Sequence, residues 1–157
     1  MPKLSAGLLL YRFAAGGPEV LLVHPGGPFY ARRDDGVWSV PKGEHDADED
    51  PQAVALREFE EELGAPPPVE PAHLVDLGTV RQKAGKLVTV WCAEGDFDPT
   101  EVRSMTFVTE WPPRSGRLQE FPEVDRAAWL PLPEARRKLI PAQAEFVDRL
   151  EALLAGT

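Results

Sequence analysis

The chain opens with two short apolar blocks. Leu4 to Phe13 (LSAGLLLYRF) and Glu19 to His24 (EVLLVH) read as strands, and AAGGP between them reads as a turn, so the pair forms an antiparallel unit. HPGGPFYARRDDG, which follows, is polar, glycine-rich and long for a simple connection, which marks a functional loop. Val37 to Val40 (VWSV) predicts a short strand that Pro41 ends. The apolar period then lengthens. Ala55, Phe59 and Leu63 form a helical stripe, Asp50 supplies a capping side chain, Pro51 suits the first helical position, and Gly64 suits a left-handed stop. Val69 to Arg81 and Leu87 to Glu94 predict strands joined near Lys83-Ala84-Gly85-Lys86, and Met105 to Trp111 predicts another. Residues 112 to 125 (PPRSGRLQEFPEVD) read as a second long loop, and Ala127 to Leu130 as a short strand. Pro131 to Leu139 and about Ala142 to Leu154 close the chain as helices. The second presents Phe146, Leu150, Leu153 and Leu154 as a docking face. Strands and helices mixed in this irregular order predict an α/β or α+β sandwich.

Composition narrows the partners. At 157 residues, with 43% hydrophobic content, one domain over residues 1–157 is expected. A formal net charge of −9 argues against binding a nucleic-acid polymer, which needs basic surface to neutralise phosphates. It permits a small phosphorylated ligand if cations lie between the two negative partners. Cys92 is the only cysteine, so no internal disulfide can form, and its strand setting reads as a buried structural thiol. The opening apolar run is too short for a membrane helix or a signal peptide, so the expectation is a cytoplasmic protein without membrane association. An open sheet edge permits pairing of two chains without requiring it, leaving monomer and homodimer both open.

The chemistry concentrates between Gly43 and Ala65. At about 100° per residue, Glu58, Glu61 and Glu62 share an arc of roughly 100° beside the apolar stripe, while Glu60 points away. Carboxylates stacked at these spacings repel one another. A solvated face of alternating charge would be the ordinary explanation, but only Arg57 is at hand to compensate. The cluster also sits toward the helix C-terminus, where the dipole disfavours anions. Such a cluster makes sense as oxygen donors for a hard divalent cation.

The spacing is specific. Gly43, five residues, Glu49, seven residues, Arg57-Glu58, Phe59, Glu60, Glu61-Glu62, Leu63, Gly64, Ala65 resembles the signature box of the Nudix hydrolases at every fixed position, with Ala65 a small occupant of the last apolar one. WSVPKGE and the opening hairpin are similar to the branch that cleaves diadenosine polyphosphates. The stretch EWPPRSGRLQEFPEVDRAAW resembles a set of related bacterial Nudix proteins. The resemblance implies a mixed sheet between helices, an α/β/α sandwich with a loop–helix–loop box at 43–65, and attack of water on a phosphorus of a nucleoside diphosphate linked to another group. It implies Mg²⁺, with Mn²⁺ as a substitute, held by Glu58, Glu61 and Glu62, with the Gly43 carbonyl as a further donor. Arg57 would hold the glutamates and pair with Glu49. Glu58 is the first candidate for general base and Glu61 the second.

A further metal-binding glutamate is expected from a later loop. Counting back six residues from Trp129, as that branch usually has it, reaches Glu123, with Glu120 close enough to compete. Lys42, Lys83 and Lys86 are candidates for phosphate contact, and Tyr30, Phe29 and Trp38 for base stacking, although Trp38 in a strand is more often a core residue. His24 reads either as a substrate contact or as an inert loop histidine. The implied substrate is a small-molecule nucleotide polyphosphate, foremost a dinucleoside polyphosphate such as diadenosine tetraphosphate. The alternatives are an oxidised nucleoside triphosphate such as 8-oxo-dGTP, a diphosphoinositol polyphosphate, or a catalytically silent nucleotide-sensing module.

Overall fold

Opposite faces of one strand set the layers. The structure is a computed structural model and describes residues 2–156. In β1 (Leu4–Ala14) successive side chains alternate. Ala6, Leu8 and Leu10 pack toward α1 (Pro51–Leu63), through its buried Val54, Ala55, Phe59 and Leu63. Leu9 and Tyr11 pack on the other side, where α2 (Leu132–Lys138) and α3 (Ala144–Ala155) bring Leu132, Ala135, Phe146, Val147 and Leu150. The result is the expected α/β/α sandwich.

The strands are β2 (Gly17–Pro25), β3 (Lys42–His45), β4 (Val75–Arg81), β5 (Leu87–Glu94), β6 (Thr106–Glu110), β7 (Leu118–Pro122) and β8 (Val124–Pro131). The main sheet is mixed, in the order β4-β5-β1-β2-β8, with β1 parallel to β5 and antiparallel to β2. β2 pairs with β1 only from Tyr11 onward, and β3 takes the same edge of β1 at Leu4–Gly7. β1 and β2 therefore splay apart, and residues 38–41 fill the wedge. The Leu8 N–H donates to the Pro41 carbonyl at 3.1 Å, and Val23 and Ser39 exchange backbone hydrogen bonds at 2.9 and 3.0 Å.

That wedge explains one departure from the sequence reading. Residues 37–40 make isolated bridges, to Val23 on one side and Leu139 on the other, and the regular strand begins only after Pro41. β4 starts at Val75 rather than Val69, because the proline-rich approach ends in a 3₁₀ turn at Pro71–His73. The largest correction concerns residues 112–125. They contain β7, which pairs with β6 as a separate hairpin, and β8 follows almost at once. The hairpin lacks a buried face, with Val108, Leu118 and Glu120 exposed, so no hydrophobic alternation announces it. Phe107 and Phe121 are its cross-strand pair. α1 matches its reading at both ends: the Asp50 side chain accepts from the Gln52 N–H at 3.3 Å, and Gly64 takes φ 88°. Cys92 is buried and its thiol is pushed up to about 12 by that burial, so it stays a thiol. Among the described residues no helix is long and apolar enough to cross a membrane.

Candidate active site

α1 sorts its glutamates as its period requires. Glu60 is exposed, while Glu58, Glu61 and Glu62 are partly buried against β3 and the cleft beside it. Glu58 lies directly on Gly43: a Cβ added there would meet the Glu58 carboxylate at 2.0 Å. Glycine is needed at this position for space rather than for a special backbone angle. Arg57 spans the cluster, 3.4 Å from Glu49 and 4.0 Å from both Glu58 and Glu61. Glu49 in turn accepts from the Asp46 N–H at 2.9 Å, which fixes the loop ahead of the helix. Backbone donation and the Arg57 guanidinium hold Glu49 below the ordinary carboxylate range.

The remaining acids shift the other way. Burial, followed by a hydrogen bond and charge repulsion from Glu61, raises Glu58 to about 7. Burial raises Glu62 to about 8, with Glu58 adding to the effect and Lys42 opposing it. Glu123 is raised by burial and by the Glu61 charge. Lys42 is lowered, first by burial and then by the neighbouring Lys86 ammonium. Four carboxyls and one desolvated ammonium thus form one electrostatic unit, with too little fixed positive charge to neutralise it.

A cleft of about 470 Å³ opens onto this unit. Its lining includes Tyr30 and Arg33 from the long loop, Lys42 from β3, Glu62 from α1 and Glu123 between β7 and β8. The Arg33 guanidinium lies 5.5 Å from the centre of the Tyr30 ring. Glu123 is clamped by its backbone, its N–H donating to the Met105 carbonyl and its own carbonyl accepting from Gly26, each at 2.9 Å. Glu120 sits on the exposed hairpin instead. Lys83 and Lys86 fall outside the cleft: Lys83 is exposed in the turn between β4 and β5, and Lys86 is paired with Glu44 at 3.1 Å. Phe29 packs edge-on against Trp111 and Trp38 belongs to the core, so of the aromatic candidates Tyr30 lines the cleft. His24 is fully buried and does not reach the cleft surface. Arg33, Ser39 and Ile140 were not singled out from sequence. The first was signalled by a charged run inside a suspect loop; the other two arrive through tertiary packing and carry no local signal.

Among the described residues no three carboxylate, imidazole or thiol groups stand in a finished ligating arrangement. The donor chemistry still fits a hard divalent cation. Glu58, Glu61, Glu62 and Glu123 offer oxygen donors whose mutual repulsion Arg57 and Lys42 offset only in part, and the Gly43 backbone lies against the first of them.

A family profile described as the NUDIX domain matches residues 1–150. The chain belongs to the Nudix family. It is 46% identical over 66 residues to an RNA pyrophosphohydrolase of Rhodospirillum rubrum, a match covering 40% of this chain and 38% of that protein. A second RNA pyrophosphohydrolase, from Gluconacetobacter diazotrophicus, is 54% identical over 39 residues, or 25% of this chain and 21% of that protein. The chain therefore spans well under half the length of these curated relatives. Among solved structures, a C. elegans Ap4A hydrolase binary complex superposes with a TM-score of 0.67 at 25% identity, covering 99% of both chains. The NUDIX domain of Shewanella oneidensis NrtR, complexed with ADP ribose, superposes at 0.66 and 18% identity over 98% of this chain and 89% of that one, a likeness of fold.

Proposed function

We propose that the protein is a Mg²⁺-dependent hydrolase of a dinucleoside polyphosphate such as diadenosine tetraphosphate. The observation that carries this reading is the shared cleft: a desolvated ammonium, Lys42, lines the same cavity as Glu62 and Glu123, beside Glu58 and Glu61. Lys42 would hold a phosphate oxygen as a point charge. Tyr30 and Arg33 would take a base at the outer wall. Glu58, Glu61, Glu62 and Glu123, with the Gly43 carbonyl, would hold the cation. When bound, Mg²⁺ neutralises the bridging phosphates and lowers the pKa of a coordinated water. Glu58 would accept a proton from the water that attacks phosphorus, with Glu61 the second candidate. The bridging P–O bond would then break, its electron pair leaving with the departing phosphate. Arg57 would keep the carboxylates apart and oriented without touching the substrate.

The choice of a two-headed substrate is supported by the whole-length likeness to the Ap4A hydrolase and by WSVPKGE. A second reading, the 5′-phosphorylated end of an RNA, is favoured by the identity to the RNA pyrophosphohydrolases over part of the chain. It runs against the acidic net charge of −9. Steady-state kinetics on diadenosine tetraphosphate, ATP, 8-oxo-dGTP and a 5′-triphosphorylated oligoribonucleotide, with Mg²⁺ and with EDTA, decide between them. Diadenosine tetraphosphate is expected to lead in kcat/KM, because truncated ligands give up binding energy used at the reacting phosphorus. A lead of about tenfold for any other substrate, roughly 1.4 kcal/mol at the transition state, overturns the choice. Full activity in EDTA overturns the metal assignment.

A further inference from the structure

Gln143 ends the 3₁₀ turn Pro141–Gln143 just ahead of α3, and it is fully buried. A buried amide is tolerated where its acceptor and both its donors find partners. The Gln143 Oε1 accepts from the Val40 N–H at 2.9 Å. A backbone N–H can only donate, so this contact fixes which end of the amide faces residues 38–41. Nε2 then donates to the Gln82 Oε1 at 2.8 Å and to the Ser39 Oγ at 3.1 Å. The Ser39 hydroxyl donates in turn to the Val40 carbonyl at 2.7 Å. One side chain therefore joins the start of α3, the end of β4 and the wedge between β1 and β2, with every amide group in use.

The wedge matters to the cleft because Ser39 and Lys42 both line it, with Val40 and Pro41 between them. On the sheet side Val23 holds Ser39 and the Leu8 N–H holds Pro41. The Val40 N–H turns to the helical layer instead, where its acceptor is a side chain. The same turn holds a third cleft residue: the Gln143 N–H donates to the Ile140 carbonyl at 2.8 Å, and the Ile140 N–H to the Trp38 carbonyl at 2.9 Å. Val40 is fully buried, so without the Gln143 carbonyl its N–H would lose its partner away from water, and the backbone must shift to recover one. Pro41 has a fixed φ and absorbs little of such a shift, which passes on to Lys42.

We propose that Gln143 is a positioning residue whose buried amide fixes the Ser39–Val40 backbone and, through Pro41, the place of the Lys42 side chain against the phosphate chain of the substrate. The proposal rests on the reading of this cleft as the nucleotide site. It assigns Gln143 to substrate affinity exerted through Lys42, without contact to the substrate and without a part in the bond-breaking step.

A double-mutant cycle in the full chain tests it, on whichever nucleotide of the panel the parent turns over best. Gln143→Met keeps the length of the side chain and removes its acceptor and both donors. It is expected to raise KM about tenfold with kcat held within about threefold. Gln143→Glu keeps an acceptor for Val40, and the Gln82 amide can turn its NH₂ toward the new oxygen, so KM is expected within about threefold of the parent. In a Lys42→Met background, adding Gln143→Met is expected to change KM by less than about twofold, because the route through Lys42 is already gone. A folded Gln143→Met variant with unchanged KM overturns the proposal, as does a loss confined to kcat or an effect that adds in full to that of Lys42→Met. If Gln143→Met fails to fold, Gln143→Asn, one methylene shorter, draws the carbonyl back from Val40 and takes its place in the cycle. If the parent turns over none of the nucleotides, the functional reading fails, and hydrogen exchange at the Val40 amide judges the pin by itself. Exchange about tenfold faster in Gln143→Met than in the parent is expected, and equal rates overturn it.

Discussion

Mg²⁺ binding should expel protons, and their number follows from the site. Glu58 is raised to about 7 and Glu62 to about 8, so near pH 6 the pair is largely protonated in the metal-free protein. A cation binds carboxylates, so those protons must leave. More than one proton should be released per Mg²⁺-loaded protein near pH 6, and far fewer near pH 9. The apparent affinity should accordingly rise by more than about tenfold per pH unit below about pH 7 and level off above about pH 8. Calorimetric titration in two buffers of different ionisation enthalpy reads the proton count directly. Glu62→Gln should lower it by about one while the helix survives, because the amide keeps the shape and never ionises. Release of less than about half a proton near pH 6, or an unchanged count in Glu62→Gln, would refute the assignment of these two carboxyls to the metal.

Three further outcomes follow. Without metal, the melting temperature should fall between about pH 5 and pH 8.5: Glu58 and Glu62 are raised in the folded state, so their favourable contribution is complete below the unfolded value of 4.5 and is lost as pH rises through about 7 and 8. Glu44, Glu49, Asp34 and Asp98 are lowered, so they lose stability only on acidification and leave that window to the cluster; a flat profile in EDTA would contradict the reading. Arg57→Ala removes half-exposed contacts to three carboxylates and should lower the EDTA melting temperature by about 2–4 °C, roughly 1 kcal/mol, with Mg²⁺ restoring more than it adds to the parent. Gly43→Ala should reduce kcat by roughly a hundredfold in a folded protein, since its methyl group takes the place of the Glu58 carboxylate, whereas Glu60→Gln on the exposed side should stay within a few-fold.

The readable parts of this chain are those where chemistry restricts residue type. Acids that share one helix face must recur at turns that return to it, so the grouping of Glu58, Glu61 and Glu62 and the exclusion of Glu60 follow from the period alone. The helix ends were equally legible, because Asp50, Pro51 and Gly64 each meet a local backbone demand. Residues 37–40 were not, since VWSV has strand composition but occupies the wedge between two diverging strands. Lys83 and Lys86 show the limit of reading charge: both are lysines near a turn, yet one faces solvent and the other is held by Glu44, which is visible only once β3 and β5 flank β1.

The cleft wall was the least legible element because its constraints come from distant chain segments. Gly26 looks like a flexible loop glycine, yet a Cβ there would lie 1.9 Å from the Pro122 carbonyl oxygen, so the loop packs tightly on the end of the hairpin. Gly27 meets the Phe107 ring in the same way, at 2.7 Å. The hairpin therefore has a structural consequence that its exposed, unpatterned strands conceal. Through Gly26 and Met105 it sets the backbone of Glu123, and through the loop it sets Tyr30. The carboxylate cluster and the cleft wall are thus mechanically joined at one short stretch, Pro122 to Asp125, where Glu123 faces the cluster and Asp125 holds His24. A substitution that loosens this stretch should disturb metal affinity and substrate affinity together, whereas one within α1 should disturb the metal first.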